Sequence, residues 1–78
     1  MVHAFIMVSA GAGAATDVCE QIADMDGVRD ANVVAGRYDV IVEVGGDEVG
    51  SILQTVSKDV GAVAGVTDTK TYISLAAA

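Results

Sequence analysis

Within this 78-residue chain the segment Asp26-Gly27-Val28-Arg29-Asp30 is echoed half a chain later by Ala64-Gly65-Val66-Thr67-Asp68. Each copy stands where a helical pattern gives way to a strand pattern. The echo, together with the order of the elements, divides the chain into two β-α-β halves. Two such halves in succession make a split βαβ sandwich, in which an antiparallel sheet carries both helices on one face.

The local patterns supply the six elements. Residues 2–8 are a continuous apolar run of strand length, broken by the small, flexible Ser9-Ala10-Gly11-Ala12-Gly13. From Ala14 the apolar residues Ala15, Val18, Cys19, Ile22 and Met25 fall on one helical stripe, with Asp17, Glu20, Gln21 and Asp24 opposite. Asp26-Gly27 ends that helix, Gly27 being suited to a left-handed position after it. A second strand is expected from Val28 to about Ala35, a turn at Gly36-Arg37, and a third strand from Tyr38 to Val44, stopped by Gly45-Gly46. Asp47 is the expected N-cap of a second helix, with Glu48 in its first turn and Val49, Ile52, Leu53, Val56 and Val60 as its apolar stripe. The loosening stretch Gly61–Gly65 precedes a last strand, Val66 to Leu75. The fold class is therefore α+β: a ferredoxin-like βαββαβ sandwich forming one domain over residues 1–78.

A sheet covered by helices on one face should read polar on the other. Here it does not. The first strand presents Val2, Ala4, Ile6 and Val8 to one side and Phe5 and Met7 to the other, and Ile41 opposes Val40, Val42 and Val44. A chain this short buries only roughly 60% of its unfolded surface and commonly needs a disulfide, a metal or a partner. One cysteine and one histidine supply neither a disulfide nor a structural zinc set. The expected remedy is a symmetric dimer stacking two sheets face to face.

Charge narrows the function classes. Four Lys+Arg against eleven Asp+Glu give a net charge of −7, and the cations are spread singly. That leaves no basic footprint for nucleic acid or an anionic membrane surface. No apolar run approaches the ~18 residues of a membrane span, and the first residues lack the basic start of a signal peptide. The expected compartment is the cytoplasm, with Cys19 a buried thiol. Dense carboxylates beside only two lysines, Lys58 and Lys70, also occur in ordinary acidic proteins, but the reading placed first is a salt-rich cytosol, where repulsion among them is screened.

Few residues suggest chemistry. His3 lies in an apolar strand and reads as packed or fraying rather than as a general base. Asp17, Glu20 and Asp24 share a polar helix face and read as solvated surface. Gly11-Ala12-Gly13 precedes a helix but lacks the Gly-Lys-Ser/Thr of a phosphate loop and the Rossmann spacing. The turn Gly36-Arg37-Tyr38-Asp39 sets a cation, a phenol and a carboxylate in an apolar hairpin. Two readings stand for it: a plain hairpin with a packing Tyr38, or a site for a zwitterion, with the ammonium on Asp39 and the carboxylate on Arg37 or backbone N–H groups. In the last strand Thr69, Thr71 and Ile73 share one side and Asp68, Lys70, Tyr72 and Ser74 the other, an alternation that fits a half-exposed strand and also offers hydroxyls to a small ligand.

Asp26-Gly27-Val28, then Gly36-Arg37-Tyr38-Asp39 leading into Val40-Ile41-Val42-Glu43-Val44, then Gly65-Val66-Thr67-Asp68-Thr69-Lys70-Thr71-Tyr72 together resemble the effector-binding (RAM) domain of the Lrp/AsnC regulators. The likeness covers nearly the whole chain. It implies the βαββαβ fold, dimers formed through the sheets, and rings of dimers, octameric or similar. It further implies a small effector, chiefly an amino acid, held in clefts between dimers with no cofactor and no metal. By the same resemblance the cleft would be lined by Gly36, Arg37, Tyr38 and Asp39 and by Thr69, Thr71, Tyr72 and Ile73, with Asp39 taking the ammonium. Typical members carry an N-terminal helix-turn-helix, whereas here Val2 opens the first strand, so the expectation is a stand-alone form. Such a module would sense a metabolite without catalysis, assemble with itself or with full-length Lrp/AsnC regulators, and bind no nucleic acid directly. The alternative from another class is a small dimeric ferredoxin-like enzyme, such as a cofactor-free monooxygenase or isomerase, for which His3 and Tyr38 are the available polar groups.

Overall fold

In the computed structural model, which describes residues 2–78, six elements follow in the expected order: β1 (Val2–Ala10), α1 (Ala15–Ala23), β2 (Val28–Val33), β3 (Val40–Gly46), α2 (Val49–Gly61) and β4 (Val66–Ile73). Met1, the first residue of the expected domain, lies outside the described residues. The strands form one antiparallel sheet in the order β2-β3-β1-β4. The fold is the ferredoxin-like α+β sandwich.

Strand alternation decides which residues meet the helices. Ala4, Ile6 and Val8 of β1 lie opposite Val44, Val42 and Val40 of β3, and all six are buried. They join Val18 and Ile22 of α1, Val56 and Val60 of α2, and Val63 in one core. The intervening residues Phe5, Met7 and Ile41 are only half-buried and stand outside that core, on the face away from the helices. The apolar two-sidedness of the sequence is thus real: one set packs under helices, the other is open in the single chain.

The internal echo is a repeat in geometry as well. After α1 the N–H of Met25 donates to Ile22 O and that of Val28 to Met25 O; after α2 Val63 donates to Val60 O and Val66 to Val63 O, at 3.0–3.2 Å. Gly27 and Gly65 hold the same place in the two turns, with φ of +87° and +100°, which L-residues with a Cβ rarely adopt. Each glycine carbonyl accepts a hydrogen bond from a glycine just past the core of a strand: Gly27 O from Gly45 N–H, Gly65 O from Gly11 N–H.

Several boundaries differ from expectation. β3 starts at Val40 rather than Tyr38 and runs on through Gly45-Gly46, because these two pair with His3 and Val2 of β1. Their missing side chains are used: a Cβ on Gly45 would come within 2.7 Å of the Arg29 stem, and one on Gly46 would overlap Ile52 Cδ1. β2 ends at Val33, short of Ala35, where the chain turns back and Val34 N–H donates to Asp39 O. α1 ends at Ala23, so Met25 belongs to the following turn while still packing on the core. Asp47 is not the cap of α2. Glu48 holds that position with extended backbone and no side-chain bond, since the extra strand residues push the helix start onward. β4 ends at Ile73 instead of Leu75, although Ser74 N–H still donates to His3 O.

Candidate functional site

Asp39 is the most firmly held polar residue of the expected site. Its N–H donates to Val8 O, its carbonyl accepts from Val34 N–H, and its Oδ2 accepts the Ala10 N–H at 2.8 Å. The carboxylate thereby satisfies a part-buried donor where β1 leaves the sheet, and so fixes the loop Val34–Asp39 against it. One carboxylate oxygen does this; the other has lone pairs to spare. Tyr38 is half-buried beside it, and Gly36 and Arg37 are exposed.

The β4 residues divide by face. Thr69 lies opposite Val8 and Thr71 opposite Ile6, so Thr69, Thr71 and Ile73 share the helix face. Tyr72, opposite Phe5, shares the open face with Lys70 and is 55% exposed. Thr69 stands in the same rung as Val40, one residue from Asp39, whereas Thr71 and Ile73 lie further along β4, away from the loop by roughly 7 and 13 Å at the usual rise per residue. A single chain therefore places Gly36–Asp39 near the Thr69 level and leaves Thr71, Tyr72 and Ile73 elsewhere.

Thr71 and Ile73 instead line an open groove with Leu53, Gln54, Ser57 and Lys58 of α2. Sequence reasoning missed Gln54, Ser57 and Lys58. Their spacing at three and four residues did mark one polar stripe, but only the seating of α2 over β4 shows what that stripe faces. His3 and Tyr38, the two groups an enzyme reading needs, are not together. His3 sits opposite Gly45, roughly 20 Å along β3 from the Tyr38 loop, and its Nδ1 lies 3.7 Å from Glu43 Oε2 on the open face.

The other candidates resolve as surface or turn. Asp17, Glu20 and Asp24 are exposed on α1, and among the described residues no group of three or more His, Cys, Asp or Glu could hold a metal ion. Gly11-Ala12-Gly13 forms a tight turn tied to Gly65. Cys19 is half-buried, and its thiol is pushed above its ordinary range by burial and then by the Glu20 and Asp30 carboxylates, against a hydrogen bond with the Val33 backbone. A reactive cysteine needs the opposite surroundings. No helix among the described residues is long and apolar enough to cross a membrane.

The fold is a ferredoxin-like sheet with a loop pinned at one end by Asp39 and an open groove between its edge strand β4 and α2. Residues 3–78 match the Lrp/AsnC ligand binding domain, and the chain belongs to that family. Among solved structures it is similar to the hypothetical protein PHS023 from Pyrococcus horikoshii, at 32% identity and a TM-score of 0.85 over 99% of this chain and 93% of that one. It is similar also to FFRP-DM1, at 33% identity and a TM-score of 0.85 over 96% of this chain and all of that one. A transcriptional regulator from Neisseria meningitidis, solved as a complex with L-Met, shares the fold at 19% identity and a TM-score of 0.80; this chain spans 96% of its own length and 50% of that chain. A search of curated proteins finds no match.

Proposed function

We propose that this domain is a non-catalytic sensor of an amino acid or similar small zwitterion, bound in a cleft between subunits and read out through assembly. The observation that carries the reading is the Asp39 carboxylate, pinned by Ala10 N–H within a domain of a ligand-binding family. A carboxylate already oriented by a backbone donor presents its remaining oxygen to an ammonium group with little further ordering cost. Gly36 and Arg37 are exposed, so in this reading main-chain N–H groups there and the Arg37 guanidinium would meet the ligand carboxylate. Thr69, Thr71, Tyr72 and Ile73, which one chain does not gather around its own loop, would complete the cleft from a neighbouring subunit. The solved L-Met complex of a regulator with the same fold supports the ligand class.

Assembly begins, in this reading, with two copies stacking the open faces that carry Phe5, Met7 and Ile41, and continues to a ring of dimers, an octamer or similar. Full-length Lrp/AsnC regulators are the natural further partners. Titration calorimetry of the wild type and Asp39→Asn against a panel of amino acids tests the site. Asparagine keeps an acceptor for Ala10 N–H and removes the charge, so binding is expected to weaken at least tenfold while the fold stays intact. Equal binding by Asp39→Asn, or no binding of any amino acid by the wild type, refutes the proposal.

A further inference from the structure

The internal repeat allows the two helix–strand pairs to be compared position by position. Gly27 and Gly65 stand 38 residues apart, and the same offset matches Val18 with Val56, Ile22 with Val60 and Met25 with Val63, all in the core or packed against it. It holds into the strands. β2 passes from Val28 to Asp30 across a register shift, and β4 passes from Val66 to Asp68 across the shift at Ser9 and Ala10. Matched residues therefore have matched backbone surroundings, and where their chemistry differs the fold does not dictate the difference.

In the first half Cys19 meets the Val33 backbone, and the next residue, Glu20, is exposed. The residues that match Cys19, Glu20 and Val33 are Ser57, Lys58 and Thr71. Where the first half has a thiol, a carboxylate and an isopropyl group, the second has a hydroxyl, an ammonium and a hydroxyl. With Leu53, Gln54 and Ile73 these three line the open groove between α2 and β4, of about 500 Å³, which is room for a small ligand. The chain has eleven Asp+Glu, yet none lines this groove, and every polar side chain in it can donate a hydrogen bond. Among the described residues Lys58 has no ion-pair partner, whereas Lys70 pairs with Asp68 on the opposite face of the sheet.

We infer that this groove takes the side chain of the effector and selects one that ends in a carboxylate, so that the ligand is an acidic amino acid of the glutamate type. The inference rests on the amino-acid reading above, in which Asp39 of one subunit takes the ammonium and Thr69, Thr71 and Ile73 of another complete the cleft. Thr71 and Ile73 belong to both cleft and groove, so the two are continuous. Thr71 lies one side-chain step along β4 from Thr69, roughly 7 Å. A stem of two methylenes directed along that step has Leu53 and Ile73 as apolar surface. Its carboxylate has Lys58 as counter-charge, with the Ser57 and Thr71 hydroxyls and the Gln54 amide as further donors. A terminal amide fills the same space without neutralising Lys58, and a branched apolar side chain leaves all these donors unpaired. Unpaired polar groups reject a ligand more strongly than a spare methylene does.

Titration calorimetry of the full chain at one fixed salt concentration, against L-glutamate, L-glutamine and L-leucine, tests the inference. The wild type is expected to bind glutamate about tenfold tighter than glutamine, and leucine no better than glutamine. Lys58→Met keeps the stem and removes the charge. It is expected to bring glutamate and glutamine to about the same affinity, with glutamine bound as by the wild type. Asp39→Asn is expected to weaken all three alike. Lys58 also sits in the last turn of α2, where a cation suits the helix dipole. Loss of that role alone moves stability and leaves the ratio of glutamate to glutamine where it was. A wild type that prefers glutamine or leucine, or a ratio unchanged in Lys58→Met, overturns the inference while leaving the amino-acid sensor in place; a wild type that binds no amino acid overturns both.

Discussion

Replacing Gly65 with alanine is expected to cost this fold more than the same change at Gly27, although the two glycines hold the same place in the repeat. Both have positive φ, so each substitution incurs about 1–2 kcal/mol for forcing an L-residue into a left-handed conformation. They differ in space. A Cβ on Gly27 meets nothing nearer than Val56 Cγ2 at 3.5 Å, an ordinary contact. A Cβ on Gly65 lands 3.0 Å from Ala14 Cβ and 3.2 Å from Val18 Cγ2, and Val18 is fully buried, so α1 has to shift. Overpacking of this kind adds about 1–3 kcal/mol, giving about 1–2 for Gly27→Ala and about 2–5 for Gly65→Ala. Urea unfolding at one fixed protein concentration measures the difference, since self-association makes apparent stability depend on concentration. The double change Gly65→Ala with Ala14→Gly isolates the crowding, because glycine is acceptable at the N-cap position that Ala14 holds. It is expected to recover about 1 kcal/mol or more over Gly65→Ala. Equal losses at the two sites, or no recovery in the double variant, would refute the reasoning.

Asp39→Ala strands the part-buried Ala10 N–H, so a loss of about 1–3 kcal/mol is expected in the same assay, with Asp39→Asn recovering most of it. Gly46→Ala pushes on Ile52, and pairing it with Ile52→Val, which removes the overlapped Cδ1, is expected to restore much of the lost thermal stability. Because burial and nearby carboxylates raise the Cys19 thiol, iodoacetamide should modify the folded chain several-fold more slowly than the urea-unfolded chain at pH 8. The same shift means stability declines as pH rises through the unfolded thiol's range, where only the unfolded chain releases the proton. With a net charge of −7 per chain, self-association is expected to strengthen from 0.05 to about 1 M salt in analytical ultracentrifugation; weakening across that range would argue against repulsion as the opposing force.

What could be read in advance follows the range of the interactions involved. Helix stripes and strand alternation are local, so Val18, Ile22, Val56 and Val60 and the β1 and β3 residues fell on the correct faces. Gly45-Gly46 misled because isolated glycines argue against a strand. Only the Arg29 stem and Ile52, packed over them from elsewhere in the chain, make their bareness useful. The split of Thr69, Thr71 and Ile73 from Tyr72 was legible in the two-residue period. The Asp39 bond to Ala10 was not, since it spans 29 residues and depends on β1 and β3 lying side by side. Gln54, Ser57 and Lys58 stayed hidden for a similar reason: the rotation of α2 over β4 decides which stripe faces the groove.

The strand order has a consequence for how the molecule is put together. β1 and β2 come from the first half of the chain, β3 and β4 from the second, and each of the three ladders among the described residues joins a strand of one half to a strand of the other. Neither half owns a hairpin, and the hairpin the chain does have, β2–β3, spans the junction between the halves, so each half needs the other to complete its sheet pairing. A chain cut in the exposed loop at Gly36-Arg37 would yield two fragments that are inert apart and complement one another on mixing. The same loop is the hinge through which two intact chains, refolding at high concentration, can trade halves and emerge intertwined with every ladder preserved.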